Sequence, residues 1–393
     1  QPDLNWENPE VRAAVYEMMN WWLDRGVDGF RMDVINLISK VLPLRDGEPL
    51  PGGLGNGHPL YSCGPRIHEF LQEMHREVFA GRDAELLTVG ETPGATVADA
   101  VAFTDPERAE VDMVFQFEHV DVDHGPLGKF DPQPLDLVRL KAILDRWQVG
   151  LAERGWNSLY WDNHDQPRVV SRFGDDREHW AASAKALAAV LHLQRGTPYV
   201  YQGEELGMTN AGFTSIDQYR DVEALNAFDE LRELDVPESR VLDGLAAMSR
   251  DNARTPVQWD ASANAGFTDG TPWIEVPANH TWLNAESQRH DPDSVAEFYR
   301  ALIAMRHAEP VVSHGTFTML LPEHPQVFAY RRELDGTIMT VAANLSGVDV
   351  EAPLDVAQGA LVLHNLGTDA TPYPAGAGIV PLGPWEVRVY LRR

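Results

Sequence analysis

Apolar positions in the first 310 residues follow two alternating patterns. Short apolar runs such as "VDGFRMDVI" and "ELLTVGE" are typical of strands buried on both faces. Longer segments with helical spacing lie between them. The first, "NPEVRAAVYEMMNWWLDRG", has Asn8 as a candidate N-cap, Pro9 at the first helical position and Gly26 as a left-handed stop. Strands that alternate with amphipathic helices predict a parallel sheet covered by helices, and we count five such strands.

The same pattern predicts which face of the first helix is buried. We expect Val11, Val15, Met18 or Met19, and Trp22 to form its apolar stripe. The later strands of the series are expected at 85–91, 111–117, 156–162 and 197–205.

The pattern changes at about residue 311. Short segments of alternating polarity follow one another, including "QVFAYRREL" and "IMTVAANLSG", with Asp335-Gly336 as a hairpin turn between them. We therefore predict two domains. Residues 1–310 form the α/β part, with an irregular segment at 203–290 after its last strand, and residues 311–393 form an all-β sandwich.

Two charged residues interrupt the first strand. Arg31 and Asp33 lie two positions apart, and residues at that spacing in a strand point to the same side. The second strand ends in Glu91, and "YWDNHD" places His164 and Asp165 just after the fourth strand. Because the carboxyl ends of the strands build the active site of a βα barrel, we expect the three acidic residues to converge.

Three converging carboxyl groups suggest glycosidic bond cleavage with retention. That reaction needs an ionised carboxylate that attacks the anomeric carbon and a protonated carboxyl group that serves the leaving oxygen. Arg31 favours the charged form of Asp33, which is therefore the candidate nucleophile. Glu91 has no neighbouring cation in the sequence and follows apolar residues, so we expect a raised pKa and the role of general acid. Asp165 and His164 are candidates for holding sugar hydroxyls.

Each of these motifs also has an ordinary structural explanation. An Arg–Asp pair is commonly a structural ion pair, "GE" can be a helix cap or a loop carboxylate, and "NHD" can be a turn. The occurrence of all three, in order, at the ends of strands in a βα series favours the catalytic interpretation.

The composition limits the classes of partner. The 393 residues carry a formal net charge of −28, which opposes binding to nucleic acid or to an anionic membrane, so we expect a neutral substrate. The single cysteine, Cys63, excludes an internal disulfide, and no apolar run approaches the length of a membrane span. The first ten residues do not resemble a signal peptide, and we expect a cytoplasmic protein.

At these residues the sequence resembles a known family. "DGFRMDVI", "VGETPG" and "YWDNHDQPR" resemble three conserved segments of the α-amylase superfamily of glycoside hydrolases, family 13, and "QPDLNWENPEVR" resembles a further one. "SRDNARTPVQWD" and "YQGEELGMTN" are similar to the oligo-1,6-glucosidase branch. The resemblance covers essentially the whole chain and implies a (β/α)8 TIM barrel followed by the β-sandwich domain.

The resemblance also implies roles for individual residues. Asp33 is then the nucleophile, Glu91 the acid/base and Asp165 the stabiliser of the transition state. The substrate-binding residues implied are Arg31, His164 and Arg254, the last of which would close the pocket against the non-reducing end. A structural role for Arg254 in its loop is the alternative.

Val34, which follows the nucleophile, bears on linkage preference. In this family a valine there tends to accompany α-1,6 cleavage and a threonine α-1,4 cleavage. The resemblance therefore implies an exo-acting retaining α-glucosidase that releases glucose from the non-reducing ends of short α-glucosides and prefers α-1,6 linkages.

One departure from the family is large. The segment that carries the first three barrel strands, with a subsite histidine and often a calcium loop, has no counterpart here, so the chain resembles barrel strands four to eight. We expect the first three strands to come from a separate chain, or this chain to be inactive when it is alone. No cofactor or metal is expected within this chain, although a structural calcium is possible in the missing part.

Two other functions stay open. A sucrose isomerase or α-glucosyltransferase of the same family would use the same carboxylates but keep water from the intermediate. A non-catalytic relative, of the kind associated with transporters, would lack the carboxylate set and carry a membrane span.

Overall fold

A computed structural model describes residues 2–49, 55–356, 359–366 and 378–393. The chain forms two compact units, one comprising residues 1–119 and 146–158 and the other comprising residues 120–145 and 159–393. The α-helices of the described residues are α1 (Pro9–Leu23), α2 (His58–Tyr61), α3 (Ile67–Met74), α4 (Val97–Thr104), α5 (Leu137–Gly150), α6 (Val169–Phe173), α7 (Trp180–His192), α8 (Val222–Glu233), α9 (Glu238–Met248), α10 (Asp251–Arg254), α11 (Ala285–Gln288), α12 (Val295–Ala308) and α13 (Pro310–His314).

The described strands are β1 (Gly29–Met32), β2 (Glu48–Pro49), β3 (Gly55–Asn56), β4 (Leu87–Glu91), β5 (Met113–Phe115), β6 (Ser158–Leu159), β7 (Thr197–Pro198), β8 (Thr316–Leu320), β9 (Val327–Leu334), β10 (Thr337–Asn344), β11 (Val350–Ala352), β12 (Ala360–His364), β13 (Val380–Leu382) and β14 (Val387–Arg392). Residues 50–54, after the first predicted strand, and residues 357–358 and 367–377, in the predicted sandwich domain, lie outside the described residues.

The first unit contains a parallel sheet in the order β1-β4-β5. Val114 of β5 also forms a parallel bridge with Asn157, which extends the series of strands in chain order. The parallel arrangement confirms the prediction made from the βα alternation. All four later strands are shorter than predicted: 85–91 gives β4, 111–117 only β5, 156–162 only β6 and 197–205 only β7. The flanking residues lie in loops and turns.

Helix α1 has the predicted N-terminus but a different buried face. The Asn8 side chain accepts a hydrogen bond from the Glu10 N–H, and Pro9 begins the helix. The face that is buried consists of Arg12, Tyr16, Met19 and Leu23, whereas the other residues of the predicted stripe are exposed or partly exposed. The predicted stripe was therefore wrong by one position. A helix with large apolar residues on two faces does not specify from its own spacing which face packs inward.

Residues 203–290 are not irregular throughout, which corrects the prediction. They contain α8 and α9, whose buried residues share an apolar cluster with neighbouring loops. Asp221 caps α8 by accepting a hydrogen bond from the Glu223 N–H. The many Asn, Asp, Gly and Pro residues around these helices concealed their periodicity.

From Thr316 onward the described structure consists of strands and turns. One five-stranded sheet has the order β12-β14-β10-β9-β8, and β11 pairs with β13. Apolar side chains from both sheets form one core, as expected for a sandwich. Asp335 and Gly336 both have positive φ, at 48° and 84°, which makes the predicted hairpin turn between β9 and β10. The boundary near residue 311 stays a prediction.

Candidate active site

Asp33 and Glu91 leave two neighbouring parallel strands at the same level. Met32 of β1 pairs with Gly90 of β4, so the next residue on each strand is an acid. Strand β1 ends at Met32, and Asp33 therefore lies in the turn rather than in the strand. The parallel register thus brings together two carboxyl groups that are 58 positions apart in the sequence.

The turn after Asp33 has an unusual backbone. Val34 has φ 39° and ψ 39°, in the left-handed region that β-branched residues rarely occupy. This conformation directs the Val34 N–H to Oε2 of Glu91, at 3.1 Å. Such strain persists only where the surrounding structure holds it, and here it links the turn of one acid to the carboxyl group of the other.

Arg31 contacts both carboxyl groups. Its guanidinium pairs with Asp33, as predicted, and its Nη2 lies 2.8 Å from Oε1 of Glu91. The second contact was not predicted, because Glu91 has no cation beside it in the sequence. The cation reaches Glu91 across the strand pair.

The two carboxyl groups have very different surroundings. The side chain of Asp33 is 71% exposed and that of Glu91 is 7% exposed. Burial raises the pKa of Glu91, the nearby Asp33 carboxylate raises it further, and the Val34 N–H and Arg31 oppose the rise. The raised pKa agrees with the expectation for Glu91, since its environment favours a proton while Asp33 lies in solvent.

A cavity of about 640 Å³ borders Asp33 and Val34 within the first unit. Leu37, Leu60 and Tyr61 contribute apolar surface to it. Its size and mixed lining suit a small organic molecule held beside the Asp33 carboxylate.

The second unit holds the other candidate residues in one cluster. His164 Nε2 lies 3.1 Å from Oδ2 of Asp165, and Arg254 Nη2 lies 2.7 Å from Oδ1 of Asp165. Arg254 Nε also donates to the carbonyl oxygen of His164, at 3.0 Å. Arg254 is therefore more than an isolated loop arginine, because it holds both members of the "HD" pair.

Two residues of this cluster were missed by the sequence analysis. Asp221 pairs with Arg254 at 3.1 Å and also with Arg250, which lies 3.4 Å from Asp165. Burial opposes ionisation of Asp221, but hydrogen bonds from Arg250 and from the Glu223 N–H, with Arg254 nearby, hold the pKa of its carboxyl group below the usual range. The spacing of two arginines in "RDNAR" was the available signal.

The structure thus gathers the predicted residues into two sets. Arg31, Asp33, Val34 and Glu91 form one, in the first unit, and His164, Asp165 and Arg254 form the other, in the second. The convergence of Asp165 on the first set stays a prediction.

Comparison with known families decides the class of the protein. The family model for the catalytic domain of α-amylase matches residues 1–315. The chain belongs to the α-amylase family. The fold of this family is a (β/α)8 barrel, followed in the related structures by a C-terminal β domain.

Known relatives cover nearly all of this chain. It is 50% identical to the oligo-1,6-glucosidase of Halalkalibacterium halodurans over 396 residues, which is 100% of this chain and 70% of the relative. The structure of trehalose-6-phosphate hydrolase from Bacillus licheniformis matches with a TM-score of 0.92 and 43% identity over 99% of this chain and 70% of that one. Isomaltulose synthase from Klebsiella sp. LX3 matches with a TM-score of 0.93 and 36% identity over 100% of this chain and 70% of that one.

Membership in the α-amylase family, with glucosidases among its relatives, makes this a glycoside hydrolase of the retaining α-glucosidase type. In the described part of the chain, no helix is long and apolar enough to cross a membrane. Nor do the described residues include a group of three or more His, Cys, Asp or Glu side chains placed to hold a metal ion.

Proposed function

We propose that this chain carries the catalytic residues of an exo-acting α-glucosidase that prefers the α-1,6 linkages of short glucosides. The observation that carries the proposal is the pair formed by Asp33 and Glu91: both leave adjacent parallel strands at one level, both contact Arg31, and only Glu91 is buried. The oligo-1,6-glucosidase of H. halodurans supports the linkage.

The proposed reaction is a double displacement. The Asp33 carboxylate attacks the anomeric carbon while Glu91 gives its proton to the departing oxygen, so that a glucosyl–Asp33 ester forms and the glycosidic bond breaks. Water then attacks the same carbon, Glu91 takes its proton, and the carboxylate of Asp33 is released. Only side chains and water take part, so the reaction needs no cofactor.

The other residues have proposed roles in binding. Asp165 stabilises the positive charge that develops on the sugar ring, with His164 and Arg254 orienting its carboxylate and binding the glucose at the non-reducing end. The support is the contact of both side chains with Asp165. Val34 borders the same cavity as Asp33 and is proposed to face the leaving group.

Substitution of the two acids tests the mechanism in the active enzyme. Asp33→Asn should abolish turnover without unfolding the protein, because an amide is a far weaker nucleophile than a carboxylate. Glu91→Gln should be slow on isomaltose but recover for glucosides whose leaving groups need no proton. Asp33→Asn with near-normal turnover, or Glu91→Gln with equal losses on both substrates, contradicts the assignment. Exposed Asp24→Asn serves as the control.

Trehalose 6-phosphate is a second candidate substrate. The cavity beside Asp33 is lined by Lys40 and Arg45, and two cations could bind a phosphate group there. Lys40 already pairs with Asp3 at 2.6 Å, which weakens this alternative. Rates on isomaltose, maltose and trehalose 6-phosphate decide between the substrates, and product analysis with sucrose distinguishes hydrolysis from the isomerisation named for the Klebsiella protein.

We also propose that this chain contributes strands four to eight of the family barrel and that further polypeptide supplies the first three. Two features support this: β1 pairs only with β4 among the described residues, and Met18, Trp21 and Trp22 are exposed on α1. Native and denaturing mass measurement tests this idea. Separately, we propose a cytoplasmic location, which cell fractionation tests. A monomer that melts cooperatively and is fully active alone would overturn it.

A further inference from the structure

Two acidic side chains contact each other in the interior of the second unit. Asp162 and Glu204 are each 2% exposed, and their side chains interact directly. Oδ2 of Asp162 accepts a hydrogen bond from the Val169 N–H at 3.1 Å, but Oδ1 is buried with no donor. A buried carboxylate oxygen without a donor is costly, and a second carboxylate cannot supply one.

Glu204 has its own set of partners. Its Oε1 accepts a hydrogen bond from the Tyr299 hydroxyl at 2.7 Å, and its Oε2 receives only a long contact of 3.4 Å from the Tyr201 N–H. Oε2 therefore has the capacity to carry a proton. A proton there would supply the donor that Oδ1 of Asp162 lacks.

The surrounding charges leave room for one ionised acid of the pair. Arg168 is the buried cation that faces both acids, and its guanidinium donates to three backbone carbonyls, those of Gln202, Asn252 and Ala253. Glu205 also faces this cluster and is less deeply buried, with Oε2 accepting from the Gly203 N–H at 2.8 Å. One buried cation against two buried anions and a third nearby would leave excess negative charge in the interior.

The remaining titratable neighbours are neutral. Burial and the adjacent Glu204 raise the pKa of Tyr299 well above its usual range, and burial likewise raises the pKa of Tyr201. His192 packs edge-on against Tyr299 at 5.2 Å, and burial lowers the pKa of His192 to about 4. None of these groups supplies a further positive charge. A proton on one of the two acids therefore remains as the way to reduce the excess negative charge.

We propose that Glu204 carries a proton at neutral pH and donates it in a hydrogen bond to Asp162, and that this pair is a positioning device for the loop 162–169. Asp162 begins that loop, and its hydrogen bond from Val169 at the start of α6 closes it. His164 and Asp165 lie within the loop. Burial and the adjacent Asp162 raise the pKa of Glu204 well above its usual range. Burial also raises the pKa of Asp162, but the hydrogen bond from Glu204 opposes that rise, in agreement with this placement of the proton.

Infrared spectroscopy of the full chain detects the proton directly. A protonated carboxyl group absorbs at higher frequency than a carboxylate. At neutral pH, Glu204→Gln should remove one protonated-carboxyl band from the wild-type spectrum, whereas Glu205→Gln on the same turn should remove none. Glu91 contributes equally in all three proteins. Equal band intensity in wild type and Glu204→Gln would overturn the proposal.

The pH dependence of unfolding gives a second readout. If Glu204 is protonated only when folded, the folded state binds one more proton than the unfolded state, so stability falls as pH rises. Between about pH 5 and pH 7, the folding equilibrium constant of the wild type should fall by up to about tenfold per pH unit relative to Glu204→Gln. A parallel pH dependence of the two proteins would contradict the proposal.

Hydrogen exchange tests the positioning role. Glutamine can still accept from Tyr299 and donate to Asp162, so Glu204→Gln should keep the Val169 amide protected. Glu204→Leu removes the donor, and protection of that amide should fall at least about tenfold. If Glu204→Leu is poorly folded, Asp162→Asn serves instead. The amide of the new asparagine supplies a donor to Glu204. Glu204 should then be ionised, and the infrared band should be absent. Unchanged protection in folded Glu204→Leu would exclude the positioning role.

Discussion

Arg31 acts on two carboxyl groups with opposite requirements. Its contact with Asp33 favours the ionised form that a nucleophile needs, and its contact with Glu91 opposes the protonated form that a general acid needs. Burial outweighs the second effect, because the pKa of Glu91 is raised overall. The burial of Glu91 in the sheet, rather than an absence of cations, therefore raises its pKa.

Removal of Arg31 should shift the pH profile in a defined direction. In the proposed mechanism the protonated form of Glu91 is the active one, so the basic limb of kcat/KM should report its pKa. Arg31→Gln removes a cation that lowers this pKa, and the basic limb should move to higher pH while the rate falls. Exposed Arg76→Gln is the control and should leave the limb in place. A basic limb that stays or moves to lower pH in Arg31→Gln would contradict the assignment.

Val34 provides the second prediction at this scale. Valine and threonine are both β-branched and similar in size, so Val34→Thr should retain the left-handed turn and the hydrogen bond to Glu91. The new hydroxyl offers a polar partner beside the leaving group. The preference for isomaltose over maltose, measured as a ratio of kcat/KM, should fall by roughly 10- to 200-fold. A wild type that strongly favours maltose would refute the linkage assignment.

At the scale of single elements, α1 shows that the buried face depends on neighbours. Met18 and Met19 are adjacent in sequence and equally apolar, yet Met19 is 4% exposed and Met18 is 49% exposed. The residues that pack inward do so because α1 lies against the rest of its unit along the Arg12–Tyr16–Met19–Leu23 line.

These two methionines form a matched test. Met19→Ala removes a buried side chain and should lower the free energy of unfolding by about 2–5 kcal/mol. Met18→Ala should change it by no more than about 0.5 kcal/mol, since its side chain is largely in solvent. Denaturant titration of both variants measures the difference. Equal effects, or a larger effect at Met18, would show that the opposite face packs in solution.

At the scale of the whole molecule, Lys141 ties a helix to the C-terminal strands. It lies on α5 with no exposed surface, and its Nζ donates to the carbonyl oxygens of Leu321, His324 and Val327 at 2.6, 2.7 and 3.1 Å. Three convergent carbonyls make a complete partner set for an ammonium group. This contact joins residues about 180 positions apart within the second unit.

Replacement of Lys141 should lower the free energy of unfolding. Lys141→Met keeps most of the side-chain volume but leaves three carbonyls without their donor, and each buried unsatisfied group costs about 1–3 kcal/mol. We expect the free energy of unfolding to fall by about 3 kcal/mol or more, measured by urea titration. Arg177→Met, at a side chain that is 92% exposed, should have almost no effect. A neutral Lys141→Met would mean that water replaces the ammonium group.

The sequence by itself determined the alternation of strands and helices in the first part of the chain, the hairpin between β9 and β10 and the identity of the candidate acids. These features are local: strand and helix periodicity, the Asp335-Gly336 turn and the motifs around Asp33, Glu91 and Asp165 need no knowledge of distant residues. The helices within 203–290 were missed because capping and turn residues dominate the local pattern there.

Only the tertiary structure decided which distant groups meet. The contact between Arg31 and Glu91 depends on the parallel register of β1 and β4. The cluster of Asp221, Arg250 and Asp165 depends on contacts between residues that are 29 and 85 positions apart. Burial is likewise a property of the packed chain. The raised pKa of Glu91 therefore follows from the environment that its neighbours create, which no spacing along the sequence specifies.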